Sequence, residues 1–315
     1  MTAAANFTGG AGRYAPSPSG NLHLGNLRTA LVAWLAARST GRRFVLRVDD
    51  LDRARDAGYA AAQLQQLASL GLTHDGEIVY QSDRTAHYAA ALAELTAANL
   101  TYECVCSRKD ILAAPTAPHA PPGAYPGTCR NLDPAQKAAA LAAIAPRQPA
   151  IRLRTPVTAG TFTDQILGEQ SADIDDFVLR RGDGTYAYNL ATVVDDAAAG
   201  VDQIVRGADL ASSTPRQILL GQLLGLPQPS YAHVPLVLNP AGARLAKRDG
   251  AVTLVDLAAQ GITPEQVLQV LAQSLNLAHP GETVTAADLV PRFSLQQLPQ
   301  QAWVVDPPAL FKTAA

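Results

Sequence analysis

The sequence predicts a parallel α/β protein, and three observations carry that expectation. A strand, a tight glycine-bearing loop and a helix start follow one another within Gly12–Ala37. Strand and helix patterns then alternate as far as Leu95. The 315 residues, 48% of them hydrophobic, suffice for one large domain with smaller ones attached.

In the first unit a short apolar run leads into the turn-rich Pro16-Ser17-Pro18-Ser19-Gly20. After His23-Leu24-Gly25-Asn26, the residues Leu27, Ala30, Leu31, Trp34 and Leu35 are spaced as one buried helix face. Free N–H groups at such a helix start, with its dipole, form a site for phosphate. Gly25 lets a nucleotide approach the backbone, and His23 can donate from a ring nitrogen. Arg43–Val48 reads as a strand ending in the acidic Asp49-Asp50-Leu51-Asp52. Asp56–Leu70 reads as a helix and Ile78–Tyr80 as a strand, and Ser82 as the N-cap of a helix through Tyr88, Leu92 and Leu95. This alternation argues for a parallel sheet.

Thr101–Arg154 breaks the rhythm. It holds all three cysteines, a proline-rich loop and an alanine-rich helix over Pro134–Ile144, and reads as an insertion between two half-sheets. Ile151–Leu153 and Phe177–Leu179 are expected strands, and Asp183-Gly184 a hairpin turn into a strand Thr185–Asn189. Val201–Val205 returns to the sheet, Thr214-Pro215 opens a helix, and Val234–Leu238 is a further strand. From Val252 the chain reads as mostly helical with no further sheet pattern. The expected organisation is a first half-domain (1–100), an insertion (101–190), a second half-domain (191–250) and a helical C-terminal region (251–315).

Net charge is −2, so a nucleic-acid surface must be a local patch rather than a whole-chain property. No apolar run approaches the ~20 residues of a membrane span, and the N-terminus lacks the pattern of a signal peptide. Three cysteines make no disulfide framework. A cytoplasmic monomer is expected.

Three further groups of residues carry chemistry. Arg244-Leu245-Ala246-Lys247-Arg248 follows a strand and brings three cations together in five residues, as phosphates require. Cys104-Val105-Cys106 and Cys129 supply three thiolates in one segment. Zinc takes four ligands in a tetrahedron, and His119 in the same loop is the chemically ordinary candidate for the fourth. Arg13 and Arg206 have the planar fork that pairs bidentately with carboxylate.

The string Pro16-Ser17-Pro18-Ser19-Gly20-Asn21-Leu22-His23-Leu24-Gly25-Asn26 resembles the HIGH signature of class I aminoacyl-tRNA synthetases, in the form of the glutamyl and glutaminyl branch. Asn26 stands where the second histidine of that signature would be. Further matches occur in order: Arg47–Asp52 resembles RxEDTD, Tyr80–Arg84 resembles YxSxR, and Ile204–Asp209 resembles VxRGxDL. Tyr188 matches the amino-acid-contacting tyrosine, and Arg244–Arg248 resembles the KMSKS loop with Arg244 for its first lysine and Ala246 for its serine. The resemblance implies a Rossmann-type catalytic domain of the HIGH/KMSKS type that activates glutamate with ATP and its Mg²⁺. It nominates His23 and Lys247 as catalytic, with Gly25 and Asn26 beside them at ATP. Arg13, Tyr14, Ala15, Pro16, Ser17, Asp49, Tyr188 and Arg206 would bind glutamate, Asp49 standing where the family usually has a glutamate that holds the substrate's ammonium. The C-x-C…Y-x-x-x-C spacing resembles the cluster of glutamyl-Q tRNA(Asp) synthetases, and implies one structural zinc on Cys104, Cys106, Tyr125 and Cys129.

The about 70 residues that follow Lys247 cannot hold an anticodon-binding domain of ordinary size. The expectation is therefore the glutamyl-Q group, whose members attach glutamate to queuosine in the anticodon loop of tRNA-Asp. A minimal synthetase charging the 3′ end of tRNA-Glu would share these active-site residues. A nucleotidyltransferase with an HxGH-type loop acting on a small molecule would have no need of Arg13, Tyr188 or Arg206.

Overall fold

The computed structural model describes residues 9–52, 57–113, 124–245 and 252–311. Its centre is a seven-stranded sheet in the order β3 (Val79–Tyr80), β2 (Arg43–Val48), β1 (Ala11–Tyr14), β9 (Val201–Gly207), β10 (Ser230–Val234), β6 (Ala159–Asp164) and β7 (Gly168–Asp173). Every neighbouring pair is parallel except the hairpin β6–β7. All four residues of β1 are buried, as a central strand covered on both faces requires. The chain winds outward from β1 to β2 and β3, then returns to its other side as β9 and β10. The strand order therefore reverses beside β1, and the crevice at the carboxyl ends of the strands there is where doubly wound sheets bind ligands.

Helix α1 (Leu24–Ser39) follows β1 directly. The sequence predicts one buried face, but Val32, Ala33, Ala36 and Ala37 are buried as well as Leu27, Leu31 and Leu35. The reason is a second layer. α1 lies between the sheet and the helices α9 (Pro264–Gln273) and α10 (Ala286–Leu289) of the C-terminal region. Each fully covered leucine there is worth about 2 kcal/mol relative to exposure, and Leu31→Ala would cost about 2–5 kcal/mol with its cavity. Arg28, also inside this layer, donates to Pro235 O and to Ser274 Oγ and O. Gly12 allows the close approach of strand and helix, since a Cβ there would lie 2.9 Å from that of Ala37.

α2 (Ala60–Ser69) and α3 (Thr85–Ala97) complete the first half. Ser82 does not cap α3. It lies in a 3₁₀ turn, Gln81–Arg84, where its N–H and hydroxyl both donate to Asp50. A three-stranded antiparallel sheet, β4 (Thr101–Cys104), β5 (Ala150–Leu153) and β8 (Val178–Arg180), stands apart with the short α4 (Arg108–Ala113) and α5 (Pro134–Ile144). The residues of β6 and β7 fall within the 101–190 stretch yet belong to the large sheet.

Three further elements differ from the sequence expectation. The stretch expected as a strand through Asn189 gives way at Tyr188 to α6 (Tyr188–Ala198), and its pairing with β8 is reduced to an isolated bridge between Tyr186 and Arg180. Val234–Leu238 is broken at Pro235, which cannot donate to a ladder, into the end of β10 and a separate β11 (Val237–Leu238). The C-terminal region does return to a sheet, because β12 (Trp303–Val304) pairs parallel with β11. α7 (Thr214–Leu223) opens with Pro215 in its first turn as expected, and α8 (Leu254–Ala258) and α11 (Pro307–Leu310) are short helices of the C-terminal region.

Candidate active site

A cleft of about 600 Å³ opens at the carboxyl ends of β1, β9 and β10. Arg13, Tyr14, Ala15, Pro16, Ser17, Asp49, Tyr188 and Arg206 all line it, as do His23, Gly25 and Asn26. Residues far apart in sequence, Arg13 and Arg206 among them, thus meet at one surface because β1 and β9 are neighbours. Lys247 lies outside the described residues, with Ala246 and Arg248. The chain on either side, Leu245 and Val252, does line the cleft. Val252 O accepts from Leu24 N at 2.8 Å, and Thr253 bridges to His23, which brings these two residues against the start of α1.

His23 is the N-cap of α1. Its Nδ1 accepts from the N–H of Gly25 (3.0 Å) and of Asn26 (3.3 Å), while Asn26 Oδ1 accepts from His23 N. Leu24 N donates to Val252 and Leu27 N to His23 O, so all four amides of the first turn are engaged. The sequence expectation of free N–H groups for phosphate is therefore corrected: histidine takes two of them. Because Nδ1 is an acceptor, the ring proton sits on Nε2. Burial lowers the pKa of His23 against the opposing pull of Asp209, which keeps the ring neutral and Nε2–H a donor. Gly25 is required by the ring itself, since a Cβ would lie 2.9 Å from His23 Cε1. Asn26 replaces a histidine of the signature but closes the capping box, which accounts for the departure locally.

Arg206 projects from β9. Its Nη1 donates to Tyr188 Oη at 3.3 Å, its Nε to His233 Nε2 at 3.1 Å and its Nη2 to Thr214 Oγ1 at 2.9 Å. Tyr188 reaches this point from the first turn of α6, where it is 40% exposed, so it is accessible to a ligand rather than a core residue.

Arg13 and Asp49 belong to a buried charge network. Arg13 Nη1 donates to Val205 O at 2.9 Å, and its Nε lies 3.5 Å from Asp196 Oδ1. Arg47 donates to Asp49 (2.7 Å) and to Asp196 (2.5 Å), and Asp195 accepts from Gln81, Arg84 and Tyr88. Burial raises the Asp49 pKa, with Arg47 pulling the other way. For Asp196 the charges of Arg47 and Arg13 outweigh burial, and its pKa is lowered. The cleft thus offers cations at Arg13 and Arg206, a carboxylate at Asp49 and a neutral N–H donor at His23.

In the small sheet, Cys104, Cys106 and Cys129 place their Sγ atoms within 4.8 Å of one another. Cys106 and Cys129 are 3.6 Å apart, and Tyr125 Oη is 3.4 Å from Cys104 and 4.0 Å from Cys106. A tetrahedral ion with metal–sulfur bonds of ~2.3 Å has ligand–ligand edges of ~3.8 Å. The donor set therefore fits a metal ion. His119 lies outside the described residues. Tyr125 Oη also accepts from Cys129 N at 2.8 Å, and the Arg152 guanidinium stacks 3.7 Å from the Tyr125 ring centroid, fixing that ring.

Sequence reasoning missed Arg47, Asp195 and Asp196 as organisers of the charged cleft, and His233, Asp164 and Thr214 behind Arg206. Asp195-Asp196 was visible as an acidic pair. Asp164 and His233 carried no signal, since each lies in a strand with no marked neighbours.

The family model for tRNA synthetases class I (E and Q), catalytic domain, matches residues 11–310. The chain is 57% identical over 297 residues to a glutamyl-Q tRNA(Asp) synthetase of Nocardia farcinica, covering 94% of this chain and 93% of the relative. The protein of that name from Cutibacterium acnes is 52% identical over 288 residues, 89% of this chain and 81% of its own. That of Symbiobacterium thermophilum is 47% identical over 305 residues, 92% and 94%. Among solved structures, a glutamate tRNA ligase from Elizabethkingia meningosepticum in complex with its amino acid shares the fold. Its TM-score is 0.81 at 24% identity, over 95% of this chain and 68% of that one.

Proposed function

Because the chain belongs to the class I glutamyl and glutaminyl tRNA synthetase family, and within it to the glutamyl-Q tRNA(Asp) synthetases, we propose that it activates L-glutamate with ATP and transfers it to queuosine in the anticodon loop of tRNA-Asp. The observation that carries this reading is the single cleft lined by Arg13, His23, Asp49, Tyr188 and Arg206. Activation joins the glutamate α-carboxylate to the ATP α-phosphorus and expels pyrophosphate. The site must hold two anions against each other and stabilise charge growing on the phosphates.

In this reading Arg206 and Tyr188 receive one carboxylate and Arg13 the other, and Asp49 takes the ammonium. Asp49 shares its charge with Arg47, so the ammonium completes a network already in place. His23 donates Nε2–H to a phosphate oxygen, and Lys247 neutralises the phosphates, with ATP bringing its Mg²⁺. Cys104, Cys106, Tyr125 and Cys129 would hold a structural zinc that fixes the small sheet. Three cysteines gathered in one cluster with no disulfide between them fit work in the cytoplasm, and among the described residues no helix is long and apolar enough to cross a membrane.

Glutamate-dependent exchange of pyrophosphate into ATP tests the activation step. The wild type should exchange, and Lys247→Ala should lower kcat by about 100-fold or more while leaving glutamate binding nearly unchanged. Undiminished exchange in that variant contradicts the role of Lys247, and a wild type inert with glutamate contradicts the activity.

A further inference from the structure

Behind Arg206 the sheet buries polar side chains that the chemistry above leaves unused. His233 on β10 sits opposite Arg206 on the adjacent strand β9, and Asp164 ends the next strand, β6. The His233 and Asp164 side chains are fully buried, with Nδ1 and Oδ2 2.5 Å apart. Asp164 Oδ1 accepts from the backbone N–H of Ile166, Leu167 and His233, which locks the carboxylate in place. Those bonds and the one from His233 outweigh burial and lower the Asp164 pKa, so it is an anion.

An anionic acceptor at Nδ1 forces the ring proton onto Nδ1 and leaves Nε2 as a lone pair. That lone pair is what accepts Arg206 Nε–H. Three of the five N–H groups of Arg206 are thereby directed to His233, Thr214 and Tyr188, and two remain for a carboxylate. The charged groups facing His233 are Asp164 from β6, Arg206 from β9 and Arg13 from β1. Burial, with the two arginines, holds the imidazole neutral.

We propose that Asp164 and His233 are positioning residues. By setting the His233 tautomer they orient the Arg206 fork toward the carboxylate of the acidic amino acid. The proposal rests on the assignment of Arg206 to that substrate.

Asp164→Asn tests it with little change of shape. The introduced amide can keep its oxygen on the three backbone N–H groups, which turns its NH₂ toward Nδ1. The ring then carries its proton on Nε2, against Arg206 Nε–H. In pyrophosphate exchange the KM for glutamate should rise about 10- to 100-fold, as for a buried donor left unpaired, while the KM for ATP stays within about twofold. Adding His233→Gln to Asp164→Asn supplies Arg206 with an amide oxygen that no tautomer can remove, and the double variant should recover most of the glutamate affinity. An unchanged glutamate KM in Asp164→Asn overturns the proposal, as does an equal rise in both KM values that the double variant does not relieve. Nitrogen-15 spectra of the wild-type imidazoles decide the matter even where a variant fails to fold. His233 should be the neutral Nδ1–H tautomer, and an Nε2–H tautomer overturns the proposal. Arg206→Lys separates the two readings: if it too leaves the glutamate KM unmoved, the assignment of Arg206 to substrate fails along with the relay.

Discussion

His23 has two jobs on one ring, and they can be separated. Nδ1 caps α1, which leaves Nε2–H as the ring's donor where His23 lines the cleft. Asparagine is among the best N-caps but has no ring donor. His23→Asn should therefore change stability by less than about 1 kcal/mol while lowering kcat for exchange about 100-fold or more, as loss of one positioned donor does. Denaturant melts beside exchange kinetics check both halves, and parallel losses would mean that the ring serves only the helix. Gly25→Ala acts through the same ring. A Cβ 2.9 Å from Cε1 pushes it off its cap, at about 1–3 kcal/mol, and activity should fall with it. The letters of the signature point to His23 and Gly25, and both line the cleft. They were silent on where the ring proton sits, because a tautomer is set by bonding partners and not by spacing.

Among the elements, strands with apolar alternation were legible and those without it were not. β2 shows Phe44, Leu46 and Val48 on one face, and its bounds follow from that pattern. β6 and β7, AGTFTD and GEQSAD, alternate mostly small and polar residues at the rim of the sheet, so the hairpin that delivers Asp164 left no mark. Tyr188 was legible as a residue but not as the start of a helix, since Tyr186, Ala187 and Tyr188 fit strand or helix equally until Leu190 and Ala191 pack inward. In the small sheet the three cysteines and Tyr125 gather at one point. Metal analysis should find one zinc per chain. Tyr125→Phe should weaken its retention against a chelator about 10-fold or more, and Cys104→Ser should lose the metal and loosen β4, β5 and β8 to hydrogen exchange. A wild-type chain free of metal contradicts the assignment.

Across the whole molecule, the two halves of the sheet are joined by buried charge. Arg47 on β2 reaches Asp196 on α6 across 149 residues, and Arg84 reaches Asp195 across 111. No local pattern could show such pairs, although the acidic residues were readable singly. Removing one partner strands the other, so Asp196→Ala should cost about 3–5 kcal/mol in denaturant unfolding. Asp164 and Asp196 have lowered pKa values, so the stability they contribute is present above the unfolded value of about 4 and is lost as pH falls below it. His23 and His233 are also lowered, and their contribution is lost as pH falls below about 6.5. Asp49 is raised and opposes this trend, losing stability as pH rises past about 4. Thermal melts should therefore show a decline beginning below about pH 6.5 and steepening below about pH 4. A melting temperature flat between about pH 7 and 5 would contradict that decline. For the molecule as a catalyst, the most direct measurement offers labelled glutamate and ATP with queuosine-containing tRNA-Asp, the same tRNA lacking queuosine, and tRNA-Glu. Label should appear on the queuosine-containing tRNA-Asp alone, whereas label on the 3′ end of tRNA-Glu, or equal label with and without queuosine, would contradict the account.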